Sequence, residues 1–77
     1  MRLSELQMKD VINVFDGKKV GNIIDAKIDG NDGKMMRLIV EPNKVFKRFF
    51  SSGNELEIVW EQIVKIGDDV ILVNIEI

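Results

Sequence analysis

Apolar and polar positions alternate in short runs along most of the chain, and Gly, Asn, Asp and Pro separate the runs. That pattern predicts strands joined by tight turns. After Leu3, Ser4 is placed to cap a single helical turn through Gln7, with Glu5 favoured near its N-terminus. Ile12 and Val14 then share one face of a first strand, and Val20, Ile24 and Ile28 share one face of a second, with Asn22 and Ala26 on the same face. A two-residue Asp16-Gly17 turn would put those two apolar sets on opposite sides of the hairpin. A three-residue loop, Phe15-Asp16-Gly17, instead sets Ile12 opposite Val20 and places Gly17 at the position that requires positive φ.

Asp29-Gly30-Asn31-Asp32-Gly33 is rich in turn-forming residues and feeds a strand over Lys34 to Glu41, which Pro42 ends. Leu56, Ile58 and Trp60 alternate as the inward positions of a further strand. Glu61-Gln62-Ile63 makes a short turn. Val64-Lys65-Ile66, the turn Gly67-Asp68-Asp69 and Val70 to Ile75 form a last hairpin. Val and Ile are abundant while Ala occurs once, which favours strands over helices. The expected fold class is all-β: a small, closed or nearly closed antiparallel barrel with one or two short helical turns.

Length changes this picture mainly through stability. The 77 residues are expected to form one small domain, residues 1–77, and such a domain buries only roughly 60% of the surface its unfolded chain exposes. No Cys is present, so neither disulfides nor thiolate-bound metal supplement the core. A homodimer is the expected supplement. Met1-Arg2-Leu3-Ser4-Glu5 has charges where a signal peptide needs apolar residues, and no apolar run approaches bilayer length. The expected location is therefore cytoplasmic.

Charge is small in total, −2, but uneven. Residues 1–43 are neutral, residues 44–53 carry +3 through Lys44, Lys47 and Arg48, and residues 54–77 carry −5. An acidic chain with a pI near 5.0 repels a phosphate backbone as a whole. Nucleic acid is thus an unlikely partner.

Catalysis has few candidates to rest on. His, Cys and Tyr are absent, which removes the commonest nucleophiles, general bases and transition-metal ligands. Ser4, Ser51 and Ser52 have no base to activate them. Glu55 with Glu57, and Asp68 with Asp69, are carboxylate pairs of the kind that solvated strands and turns usually carry. The Asp29 to Gly33 turn fails the spacing of a calcium loop, because Gly33 falls at loop position 5 and Val40 at position 12. No enzymatic activity, cofactor or metal is expected.

The runs Leu3-Ser4-Glu5-Leu6, Val11-Ile12-Asn13, Asp16-Gly17-Lys18, Val20-Gly21 and the Asp25 strand resemble the PRC-barrel domain. The stretch from Ile58 to Val73 is similar to one branch of it, the short YlmC/YmxH proteins linked to sporulation in Gram-positive bacteria. The resemblance implies a six-stranded antiparallel β-barrel and an adaptor without catalytic residues. It also implies relatives with protein-binding roles, among them a ribosome maturation factor, so RNA processing and self-assembly are the alternative functions.

Lys44-Val45-Phe46-Lys47-Arg48-Phe49-Phe50 lies outside that resemblance and concentrates three Phe residues with the +3 charge. One reading is a long loop or extra strand whose Phe side chains cover the barrel mouth while Lys and Arg face water. The other is a binding edge formed by Lys44, Phe46, Lys47, Arg48, Phe49 and Phe50. Its expected occupants are, in order, a protein partner, an anionic membrane surface in weak peripheral contact, and single-stranded nucleic acid. The acidic C-terminal half of a second copy is a further candidate.

Overall fold

A computed structural model describes residues 2–29, 35–48 and 55–76 of the chain. Its six strands are β1 (Asp10–Asn13), β2 (Lys18–Asp29), β3 (Met35–Pro42), β4 (Leu56–Ile58), β5 (Ile63–Ile66) and β6 (Val70–Val73). They form one sheet in the order β4-β3-β2-β1-β6-β5. Two short helices, α1 (Leu3–Gln7) and α2 (Lys44–Lys47), and a single 3₁₀ turn at Trp60–Gln62 complete the elements.

The sheet is mixed, which corrects the expectation of a purely antiparallel barrel. β1 and β6 run parallel, with Asp10 opposite Val70 and Asn13 opposite Val73, while every other neighbouring pair is antiparallel. The cause lies between β4 and β5. Those strands are not paired with each other among the described residues, and the 3₁₀ turn carries the chain from one sheet edge to the other without a hairpin. One reversal is therefore missing from the series, and β6 arrives parallel to β1. The result is a curled half-barrel, open between β4 and β5.

Gly17 has φ 71°, as the first hairpin requires. The loop itself is four residues, Val14 to Gly17, because Asn13 pairs with Lys18. Val14 gives its N–H to the Val73 carbonyl, 2.8 Å away, and so extends the β1–β6 ladder instead of pairing with β2. The expected buried face is also corrected. Val11 and Asn13 point inward, Ile12 is half-buried and Val14 is exposed. On β2, Val20 and Ile23 are buried while Ile24 and Ile28 are exposed.

Bulges explain the difference at Val20, Ile23 and Ile24, whereas Ile28 shares the face of half-buried Ala26 and is exposed further along β2, opposite Met36. The β1–β2 register passes from Gly21 to Lys19 across one β1 step and leaves Val20 extra; the β2–β3 register passes from Ile23 to Asp25 and leaves Ile24 extra. Each extra residue exchanges the two faces, so strict alternation fails along a strand that carries two of them. Ile58 is buried and Leu56 half-buried as expected, but Trp60 begins the 3₁₀ turn and is exposed. Ser4 lies inside α1, whose N-cap is Arg2. The expected turn over Gly30 to Gly33 lies outside the described residues, and the strands on either side of it pair antiparallel.

The core draws Val11, Val20, Ile23, Leu38, Val40, Ile58, Ile71, Val73 and Ile75 from the sheet and its C-terminal extension, with Leu6 of α1 and Phe46 of α2 added from the helices. Gly21 allows the two longest strands to cross closely. A Cβ at that position would overlap the Glu41 carbonyl oxygen and lie 2.9 Å from the Pro42 Cα.

Asn13 is the buried polar side chain of this core. Its Nδ2 donates to the Ile75 carbonyl at 2.9 Å, and its Oδ1 accepts from the Ile75 N–H at 2.9 Å. The side-chain amide thus continues the β1–β6 ladder by one more reciprocal pair and draws Ile75 into the core. The same Oδ1 accepts from the Phe15 N–H at 3.3 Å, which starts the hairpin reversal. At the other end of β1, Lys9 Nζ donates to the carbonyls of Gly67 and Asp68 at 2.5 and 2.6 Å, and the Asp10 N–H donates to the Asp69 carbonyl at 3.0 Å.

Two substitutions test these constraints in urea unfolding. Asn13→Ala leaves the buried N–H and carbonyl of Ile75 without partners and is expected to cost about 2 to 4 kcal/mol. An unchanged midpoint would show that the C-terminal extension contributes nothing to the core. Gly21→Ala must push the β3 backbone away and is expected to cost about 3 kcal/mol or more. A variant as stable as the parent would mean that β2 and β3 do not cross this closely.

Candidate functional site

The basic segment begins where β3 must stop. Pro42 pairs with Gly21 as the last residue of β3, and Asn43 then turns the chain into α2. Asn43 makes four contacts at once. Its Oδ1 caps the Phe46 N–H at 3.0 Å and its carbonyl accepts from the Lys47 N–H at 2.9 Å. Its Nδ2 donates to the Lys19 carbonyl at 2.7 Å and its own N–H to the Val20 carbonyl at 2.9 Å. A side chain that both caps the helix and binds β2 fixes how α2 sits on the sheet.

That orientation divides the segment. Phe46 is fully buried, so its ring fills the core and offers no surface to a partner. Lys44, Val45, Lys47 and Arg48 are exposed. Residues 44–47 form a helical turn, neither the loop nor the strand expected, because Asn43 supplies the cap. Phe49 and Phe50 lie outside the described residues. Of the six expected contact residues, Lys44, Lys47 and Arg48 are therefore the ones the structure places together at the surface.

Beside them runs a groove of about 360 Å³ lined by Gly21, Asn22, Glu41, Pro42, Asn43, Lys44 and Lys47. Lys44 and Lys47 are three positions apart and so stand on the same side of the helical turn. Glu41 is the one carboxylate of the lining. Among the described residues, no ion pair engages Lys44, Lys47 or Arg48, whereas Lys19 is paired with Asp10 at 3.1 Å and Arg37 with Glu57 at 3.1 Å. Such a groove suits an anionic group carried by a larger partner, since two flexible ammonium groups attract carboxylates without imposing a fixed geometry.

The other candidate chemistry stays dispersed. Glu57 faces solvent in its pair with Arg37, and Asp68 and Asp69 are exposed on the β5–β6 turn. Among the described residues no three carboxylates converge in a way that would hold a metal, and no helix is long and apolar enough to cross a membrane. Sequence reasoning overlooked Asn43 and Asn22. Asn43 carried a usable signal, because Asn directly after Pro and three residues before an apolar position is a helix N-cap pattern. Asn22 carried none: its alternation with Val20 and Ile24 assigns it to the wrong face.

Comparison with known proteins agrees with this architecture. Residues 1–76 match the PRC-barrel domain. The chain is 48% identical over 73 residues to the "Probable sporulation protein YlmC" of Bacillus subtilis, covering 95% of this chain and 90% of that protein. It is 43% identical over 72 residues to an uncharacterized protein of Clostridium acetobutylicum, covering 94% and 82% of the two chains. A further Bacillus subtilis protein, YmxH, itself uncharacterized, is 30% identical over 77 residues, covering 97% and 89%. The parallel closure, the buried Asn13 and the helical plug are thus features of a chain that belongs to the PRC-barrel family.

Proposed function

We propose that this chain is a non-enzymatic, cytoplasmic protein-interaction module that serves sporulation in a Gram-positive bacterium, and that it engages its partner through the outer side of α2. The observation that carries this reading is the division within α2. Phe46 anchors the turn in the core while Lys44, Lys47 and Arg48 stand beside a groove without ion-pair partners among the described residues. Exposed cations on an anchored element steer an acidic partner toward the groove. The name of the YlmC relative supports the sporulation setting. The absence of His, Cys and Tyr supports a role without chemistry.

Tagged parent chain and a Lys44→Glu/Lys47→Glu/Arg48→Glu variant, used as bait in lysate of a sporulating Gram-positive bacterium, test this reading. All three residues are exposed, so circular dichroism and the unfolding midpoint should stay close to the parent. Capture of the specific partner should fall at least about tenfold, equivalent to ~1.4 kcal/mol. Undiminished capture by the folded variant would remove α2 as the contact surface.

A further inference from the structure

The groove beside α2 lies where β3 ends and the Asp68-Asp69 turn where β6 begins, two strands that run in the same direction with β2 and β1 between them. Asp10 opens β1 opposite Val70, which directly follows Asp69, and the next residue of β1, Val11, faces Gly21 in the groove lining. A continuous line of contacts joins the two sites. The Asp69 carbonyl binds the Asp10 N–H at 3.0 Å, the Asp10 carboxylate pairs with Lys19 at 3.1 Å, and the Lys19 carbonyl binds Asn43 at 2.7 Å. In the sheet, β1 and β2 separate β6 from β3, the strand that leads into α2.

We propose that the groove of one copy receives the Asp68-Asp69 turn of a second copy, and that the two contacts repeat across a two-fold axis. The proposal rests on the reading of α2 as a contact surface and names one occupant of it. Charge complementarity is the first argument. Lys44 and Lys47 line the groove against the single carboxylate of Glu41, and the turn presents two exposed carboxylates. The Lys9 ammonium, which reaches the turn, is bound to the carbonyls of Gly67 and Asp68.

Preorganisation is the second argument. The Lys9 contacts, the Asp10 N–H and the Gly67 N–H on the Val70 carbonyl at 2.7 Å hold the turn before any partner arrives, so little conformational entropy is lost on docking. Closure is the third. An acidic and a basic site joined by one line of contacts across a protomer are self-complementary under a two-fold rotation, which makes two copies of the contact and stops at a dimer. The exposed Asp10–Lys19 pair then lies near the axis, where it meets its own counterpart with opposite signs facing.

The dimer and the external partner compete for the same groove. Self-association therefore sets a concentration threshold above which the α2 surface is covered, and an acidic partner must displace the turn of the second copy.

Sedimentation velocity on the full chain tests the proposal by charge reversal. The parent should dimerise, and raising salt from about 0.01 M to about 1 M should weaken the dimer markedly, since the screening length falls from ~30 Å to ~3 Å. Lys44→Glu/Lys47→Glu and Asp68→Lys/Asp69→Lys should each raise the dimer Kd at least about tenfold, and combining all four changes should restore most of the affinity. Asp68→Asn/Asp69→Asn provides the neutral counterpart where reversal disturbs the turn, and circular dichroism checks that each variant is folded. A parent that stays monomeric at low salt overturns the proposal, as does a dimer indifferent to both pairs of changes or one that the combined variant fails to rescue. Partner capture separates this outcome from the broader reading: a monomeric parent that still loses its partner on Lys44→Glu/Lys47→Glu/Arg48→Glu removes only the self-association.

Discussion

The fold depends on how a four-residue strand, β1, is held on both sides. It pairs antiparallel with β2 and parallel with β6, so among the described residues β6 and β5 join the ladder of the other strands through it. A parallel pair this short has few ladder bonds and no hairpin to limit its entropy cost. Asn13 lengthens it. Its side-chain amide reproduces the donor and acceptor of one more backbone unit, and Ile75 enters the core as a consequence. An apolar residue at that position would fill the space but leave two buried backbone groups unpaired, which is the costlier state.

The hairpins, their order and the positive φ of Gly17 are legible in the sequence because they rest on local chemistry: Asp-Gly and Gly-Asp reversals, Pro42, and alternation over short strands. The parallel closure is not legible in this way. It depends on whether the 3₁₀ turn at Trp60 reverses the chain or carries it across the open side, and nothing in Trp60-Glu61-Gln62 decides between these. Faces are legible only up to the first bulge. Val20 and Ile23 are both inward although three apart, a spacing that the extra residue at Val20 produces and that no period-two reading anticipates. The consequence falls on Ile24, which alternation assigns to the core and geometry leaves exposed.

The basic segment shows the same limit from the functional side. Its charge and aromatic content are visible in the sequence, but the separation of Phe46 from its cationic neighbours follows from the Asn43 cap, which turns a strand end into a helix. Burial of Phe46 and exposure of Lys44, Lys47 and Arg48 are then one event, not two. The core gains a large aromatic side chain, and the surface gains three cationic side chains on one anchored turn. A looser Asn43 would release both the Phe46 ring from the core and the cationic turn from the sheet.

Native-state hydrogen exchange tests most directly whether the Asn13-centred closure holds the molecule together. The amide protons of Val14 and Ile75, bonded to the Val73 carbonyl and to Asn13 Oδ1, should exchange only through global unfolding, with the same opening free energy as amides in the middle of β2 and β3. Exchange of Val14 and Ile75 at a much lower free energy than the β2–β3 amides would contradict the account, because the β1–β6 closure would then open while the rest of the fold stayed intact.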